Sequence, residues 1–85
     1  MPAHEINITV VVNGQPVPLE VNIEEKLRAV AHKALEKSGN SGQPLDNWEL
    51  RDSAGQILEL NKKVADYGIT SGTKLFLNLK AGVGG

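Results

Sequence analysis

The sequence predicts an α+β fold in which a mixed sheet of four to five strands packs on one α-helix. Three patterns predict it. Apolar and other side chains alternate over residues 6–22 on both sides of an Asn13-Gly14 pair, as they do in a hairpin. Apolar residues then recur at helical spacing over residues 23–35, and residues 75–79 alternate again. The hairpin and the late strand leave one sheet face that a single helix can cover.

The composition is that of one small domain. The chain has 85 residues, a formal net charge of -1 and no cysteine. A near-neutral charge argues against a nucleic-acid-binding domain, which needs a basic excess. The lack of cysteine excludes disulfides, thiolate metal sites and a cysteine nucleophile, and it fits a reducing, cytoplasmic location. No apolar run is longer than Val10–Val12, and no signal peptide is evident, so we expect neither a membrane segment nor secretion.

The hairpin has an identifiable edge. Pro16 and Pro18 in its second half cannot donate backbone hydrogen bonds, so the second strand is predicted at the sheet edge and the first strand inside. Asn13 and Gly14 both accept the positive φ of a tight turn. The residues predicted to face the core are Ile6, Ile8, Val10, Val12, Val17, Leu19 and Val21.

The predicted helix follows directly. Its start has two interpretations: Asn22 caps it with Glu25 as the capping-box partner, or the cap lies within residues 24–26. Gly39 supplies the left-handed residue that ends many helices. The residues of its apolar stripe are Ile23, Leu27, Val30, Ala31, Ala34 and Leu35.

Shorter elements complete the sheet. Residues 48–51 alternate as a strand, and residues 52–55 form a turn. Ile57, Leu58 and Leu60 are then predicted to return to the core, and residues 64–69 to form a single helical turn. Within that turn we expect the Tyr67 hydroxyl to bond to the backbone. The last strand is predicted to run parallel to the first after a right-handed crossover.

Three segments together resemble the ubiquitin-like β-grasp modifiers over nearly the whole chain. They are Leu19-Glu20-Val21 at the hairpin end, Val64-Ala65-Asp66-Tyr67-Gly68-Ile69, and Lys74-Leu75-Phe76-Leu77-Asn78-Leu79-Lys80 leading to Gly84-Gly85. The resemblance implies a β-grasp domain over residues 1–80 and a Gly-rich tail over residues 81–85, which we expect to be mobile.

The resemblance also implies a monomeric protein modifier that is not itself an enzyme and carries no cofactor. The carboxylate after Gly84-Gly85 is adenylated with ATP, passed as a thioester to activating and conjugating enzymes, and joined to a target amine. Glycine passes through a narrow channel where a Cβ would clash. Implied partners are an adenylating enzyme, a conjugating enzyme, a deconjugating JAB-type peptidase and target proteins. Simplified relatives lie in bacterial operons beside such enzymes.

The chain departs from the family on its expected outer face. The family's apolar recognition patch matches the polar Arg51 and Asn78, so readers of that patch should bind poorly. Alternation places Phe76, Asn78 and Lys80 on this face with Arg51, and we take these four as candidate partner-binding residues. Lys33 and Lys37 match acceptor-lysine positions on the helix.

Two other functions share these features. A sulfur carrier forming a C-terminal thiocarboxylate has the same fold and Gly-Gly end, and a purely non-covalent interaction domain would not need that end. A metal site is not indicated, because His4 and His32 have no companion at ligand spacing and are expected to be solvated. No serine lies in a nucleophile-elbow motif, which argues against a hydrolase.

Overall fold

The computed structural model, which describes residues 4–82, has five strands and one α-helix. The elements are β1 (Glu5–Val12), β2 (Gln15–Asn22), α1 (Leu27–Lys37), β3 (Trp48–Arg51), β4 (Ile57–Leu58) and β5 (Lys74–Leu79). The strands form one mixed sheet in the order β2-β1-β5-β3-β4, and the sheet packs on α1. Strand β1 pairs antiparallel with β2 and parallel with β5, and β3 pairs antiparallel with β4 and β5. The predicted mixed sheet on one helix is therefore confirmed.

The hairpin forms as predicted. Asn13 and Gly14 have φ of 49° and 85°, which matches the right-handed twist of the flanking strands. Strand β2 lies at the sheet edge, and β1 lies inside between β2 and β5. The edge is the position where the missing N–H groups of Pro16 and Pro18 cost least.

The helix starts at the later of the two predicted positions. Lys26 is its N-cap residue, and it makes no side-chain capping bond. Asn22 and Glu25 instead close the turn before the helix: the Asn22 N–H donates to Glu25 Oε1 at 2.9 Å, and the Glu24 N–H donates to Asn22 Oδ1 at 2.8 Å. The predicted bond between Asn22 and Glu25 is therefore present, but it closes the turn at residues 22–25 and does not cap the helix.

The helix ends at Lys37 with Ser38 as its C-cap, and Gly39 is the left-handed residue that follows, as predicted. Gly39 has φ of +76°, and its N–H donates to the Glu36 carbonyl at 3.2 Å. The Asn40 N–H donates to the Leu35 carbonyl at 2.8 Å. These two bonds form a Schellman motif, which satisfies carbonyls that the helix leaves unpaired.

The core lies between α1 and the inner sheet face. The helix contributes Leu27, Val30, Ala31, Ala34 and Leu35, all buried, so the predicted stripe is confirmed within the helix. Ile23 precedes the helix and packs against the core while partly exposed. The buried strand residues are Ile8, Val10, Val12, Val17, Leu19, Val21, Trp48, Leu50, Leu58, Leu75 and Leu77.

Ile57 does not return to the core, so this prediction was wrong. Its side chain is 55% exposed. Leu58 pairs with Leu50, and both are buried, so the residue before Leu58 must point to the opposite face. Leu60 packs against the core, as predicted.

The single helical turn is present as a 3-10 helix over Val64–Tyr67. The Tyr67 hydroxyl accepts a hydrogen bond from the Glu59 backbone N–H at 2.9 Å, which confirms its predicted structural role. None of the helices within residues 4–82 is long and apolar enough to cross a membrane.

Candidate interaction surface

Each of the five strands contributes one residue to a row across the outer sheet face, away from α1. Val11 of β1 pairs with Phe76 of β5, and Phe76 pairs with Arg51 of β3. Pro16 pairs with Val11 at one end, and Ile57 pairs with Arg51 at the other. Paired residues share a face. The sheet thus brings together four apolar residues around one arginine, and we call these five residues the transverse row.

Phe76 lies at the centre of this row. It is half-buried, between fully buried Leu75 and Leu77 in sequence. Alternation predicts that Phe76 points outward with an exposed ring; the direction is confirmed, whereas the ring is half-buried. Val11 and Arg51 lie directly beside it on the neighbouring strands, and such cross-strand neighbours reduce the exposure of a ring.

Arg51 is held in place by two acceptors. Its Nη2 donates to Glu49 Oε2 at 2.8 Å, and its Nη1 donates to the Gly55 carbonyl at 2.6 Å. Glu49 is two residues away on the same strand and therefore on the same face. The guanidinium charge is compensated within the sheet, so the row presents the side chain of Arg51 with little net charge.

Asn78 and Lys80 continue this face towards the end of the chain. Both are exposed, and Asn78 pairs with Glu49. The Lys80 N–H donates to the Asn47 carbonyl at 2.8 Å, which fixes the point where the chain leaves the sheet. A turn at Ala81-Gly82 follows. Gly84 and Gly85, the candidate conjugation terminus, lie outside the described residues.

The two candidate acceptor lysines have different surroundings. Lys33 Nζ lies 3.0 Å from Glu25 Oε2 and is held in an ion pair. Lys37 Nζ makes only a 3.5 Å contact with the Pro18 carbonyl. Burial acts against ionisation of Glu25, but the Asn22 N–H and the Lys33 ammonium outweigh it and hold the pKa of Glu25 below its usual value.

None of the ionisable side chains of residues 4–82 is buried. Beside Glu5, the carboxylate of Glu20 hydrogen-bonds to it and repels its charge, which raises the pKa of Glu5. His4 is exposed, and His32 Nε2 lies 3.4 Å from Glu36 Oε2 with 63% of its side chain exposed. Within residues 4–82, no three His, Asp or Glu side chains converge as metal ligands.

Sequence reasoning missed Pro16 and Ile57 as members of the transverse row. The alternation of β2 placed Pro16 outward, but only the hairpin register sets it beside Val11. Ile57 precedes a core leucine in a strand of only two residues, so the pairing with β3 decides its direction. One signal in the sequence could have found Ile57. If Leu50 and Leu58 pair in the core, the residue before Leu58 must point outward.

A family model described as "Protein of Unknown function (DUF2604)" matches residues 1–85. The chain belongs to the DUF2604 family. A curated relative, "Uncharacterized protein y4jI" of Sinorhizobium fredii, is 49% identical over 81 residues. The match covers 95% of this DUF2604 chain but 62% of that relative, so the chain spans less than two thirds of the relative's length.

Solved structures place this DUF2604 member among the ubiquitin-like folds. The ubiquitin of Caldiarchaeum subterraneum superposes with a TM-score of 0.76 at 26% identity, covering 95% of this chain and 99% of that one. A design based on ubiquitin superposes with a TM-score of 0.80 at 20% identity, covering 98% of each chain. The predicted β-grasp fold is confirmed, and the chain is a ubiquitin-like protein. Such folds typically serve as modifiers or carriers that enzymes and targets recognise.

Proposed function

We propose that this DUF2604 chain is a ubiquitin-like protein modifier joined to target amines through the carboxyl group of Gly85. The observation that carries the proposal is the superposition on an archaeal ubiquitin over 95% of the chain, together with the Gly84-Gly85 pair that follows the last strand. The proposal holds for a Gly85 carboxylate that is encoded as such or exposed by a peptidase. The second route is relevant because y4jI extends beyond the matched region.

The proposed chemistry has three steps. A Gly85 carboxylate oxygen attacks the α-phosphate of ATP and displaces pyrophosphate, which gives an acyl adenylate. A thiolate of the activating enzyme attacks the acyl carbon and releases AMP, and the thioester passes to a conjugating enzyme. A target amine then attacks the thioester, forms an isopeptide bond and releases the thiol. The absence of a Cβ at Gly84 and Gly85 leaves the path to the carbonyl open.

The chain itself contributes an electrophilic carbon and a docking surface, and the partner enzymes contribute the catalytic groups. We assign docking to the outer sheet face, with Phe76 at its centre and Arg51, Asn78 and Lys80 around it. Strand β5 carries Phe76 and Asn78, and Lys80 follows it at the start of the path to the tail. An enzyme that holds the tail therefore lies close to this face. The proposal includes a cytoplasmic location, which the lack of cysteine and the use of ATP support.

Deletion of Gly85 tests the chemistry. The intact chain and a variant lacking Gly85 are each incubated with ATP and the cognate adenylating enzyme. Intact mass and non-reducing gels then report the products. We expect a thiol-sensitive adduct with the intact chain and none with the variant, while thermal melts of the two coincide. An equal adduct with the variant would exclude Gly85 as the activated residue.

The same measurement distinguishes the alternatives. A sulfur carrier would gain the mass difference between sulfur and oxygen at its C-terminus and would form no conjugates. A non-covalent interaction domain would keep its mass. Thiol-resistant heavier species that appear when the conjugating enzyme is added support the modifier.

A further inference from the structure

A second surface lies on the opposite side of the molecule from the transverse row. It is an open groove of about 620 Å³ beside the solvent-facing side of α1. Leu45, the first residue of the 3-10 helix Leu45–Asn47, forms its other wall. The residues that line it are Lys26, Arg28, Ala29, His32 and Leu45.

The floor of the groove is apolar. Ala29 and Leu45 are half-buried, and Leu45 packs against the core from the loop that follows the helix. Because Leu45 packs on the core with its inner side, its outer side is available to form part of the groove. The volume lies within the roughly 300–1,000 Å³ range of pockets that accept a ligand, and it suits one branched apolar side chain with its flanking backbone.

The rim of the groove is cationic and uncompensated. Three other cations of the described chain are paired with carboxylates: Lys33 with Glu25, Arg51 with Glu49, and Lys63 with Glu24. Over residues 4–82, Lys26 and Arg28 form no such ion pair. Arg28 donates only Nε, to Asn61 at 3.4 Å, and keeps both terminal nitrogens for another acceptor.

The backbone amides at the start of α1 are not free to bind a ligand. The Leu27 N–H donates to the Lys62 carbonyl, and the Arg28 N–H donates to the Leu60 carbonyl, each at 2.8 Å. The first amides of α1 are thus already satisfied by the chain itself. Recognition at the groove must come from side chains, which favours carboxylates held by Lys26 and Arg28 over a small ion held by amides.

We propose that this groove binds an acidic peptide segment of a partner protein. One apolar side chain of the segment lies between Ala29 and Leu45, and flanking carboxylates pair with Lys26 and Arg28. A nucleic acid fits less well, because none of the groove-lining residues is Phe, Tyr or Trp, the main base-stacking side chains, and the chain carries a net charge of -1. The groove lies on the other side of the sheet from the transverse row, so this proposal is independent of conjugation.

The test is an NMR titration of the isotope-labelled chain with the peptide acetyl-Glu-Asp-Leu-Asp-Glu-amide. We expect amide shifts at Ala29, His32 and Leu45, and none at Val11 or Phe76. The double variant Lys26→Glu/Arg28→Glu should weaken binding by about tenfold or more, as loss and reversal of rim charges do. Neither change should unfold the helix, because Lys26 caps only through its backbone and acidic residues are favoured at a helix start.

The matched control compares Arg28→Glu alone with Lys74→Glu, because the two variants change the net charge equally and Lys74 is exposed at the start of β5. Arg28→Glu should weaken binding severalfold, whereas Lys74→Glu should change affinity by less than about twofold. Lys74 pairs with Thr9 on the outer sheet face, which is the side away from α1 and the groove. A peptide with Ser in place of Leu should bind more weakly than the parent. No saturable shifts, equal losses in Arg28→Glu and Lys74→Glu, or equal binding of the Ser peptide would overturn the proposal. Groove shifts that depend on protein concentration without peptide would assign the groove to a second copy instead.

Discussion

The carboxylate of Glu25 accepts from two groups at once: the Lys33 ammonium, with Nζ 3.0 Å from Oε2, and the Asn22 backbone N–H, 2.9 Å from Oε1. The first contact comes from the second turn of α1 and the second from the end of β2. Glu25 therefore ties the helix flank to the strand that precedes it. Sequence reasoning predicted the Asn22–Glu25 bond as a helix cap, whereas its role is to close the connection between the two elements.

Replacing this carboxylate should make the stability difference depend on pH. The folded pKa of Glu25 is lowered, so its ionised form stabilises the fold at neutral pH, and this contribution disappears as the pH falls through the folded pKa. We expect Glu25→Gln to lose about 1 kcal/mol in urea unfolding at pH 7, and the difference to shrink in acid. Glu59→Gln, at an exposed position, is the control. A difference that stays constant from neutral to acid pH would contradict this role.

The helix stripe makes a second prediction. Leu35 is 3% exposed within the core, so Leu35→Ala should lose about 2–5 kcal/mol of unfolding free energy. Lys37 is exposed on the same last turn, and Lys37→Ala should change it by less than about 0.5 kcal/mol. Denaturant unfolding of both variants measures this directly. Lys37 is a better control than Lys33, because Lys33 is engaged by Glu25. Similar losses in the two variants would be inconsistent with the helix orientation.

Most of the fold could be predicted because its signals are local. The alternation of β1 and β5, the two prolines of β2 and the stripe of α1 each settle one element without reference to the others. Ile57 shows where local signals end. In a strand of two residues, alternation has no length over which to act, and the pairing of Leu50 with Leu58 decides the direction.

The candidate sites depend more on tertiary structure. The outward direction of Phe76 and Arg51 followed from alternation, but the row they share with Pro16 and Ile57 needs the register of four strand pairs. The groove is even harder to predict from the sequence. Leu45 lies in a loop rich in turn residues, and nothing in its local pattern indicates that it would form a wall beside Ala29.

The hydroxyl of Tyr67 supplies a third prediction. It accepts the Glu59 N–H at 2.9 Å and so fixes the segment between β4 and the 3-10 helix. Tyr67→Phe keeps the ring that packs on the core and removes only this acceptor. We expect the free energy of unfolding to fall by about 1 kcal/mol and hydrogen exchange at the Glu59 amide to become faster. Exchange at the amides of β1 is the control, because it should change only as much as the global stability does. Unchanged exchange at Glu59 would show that the bond does not hold this segment.

The transverse row makes the last prediction, which rests on the proposed function. Phe76 supplies its central ring, so Phe76→Ala should weaken binding to the activating or conjugating enzyme by about 1–2 kcal/mol. Because the ring is half-buried, the variant should also lose some stability, and a melt must accompany the titration. Arg51→Ala and Lys80→Ala should cost less, as contacts at a wetter rim do.

The internal ion pair of Arg51 with Glu49 sharpens this prediction. With its charge compensated, the row offers mainly apolar contact, so affinity should change little when the salt concentration is raised. Ile57→Ala provides the matched comparison: the side chain is 55% exposed at the end of the row, so its truncation should lower affinity while the melt stays nearly unchanged. Unchanged affinity in both Phe76→Ala and Ile57→Ala would mean that the enzymes dock elsewhere. A steep loss of affinity with salt would instead assign docking to the charges of Lys80 and the tail.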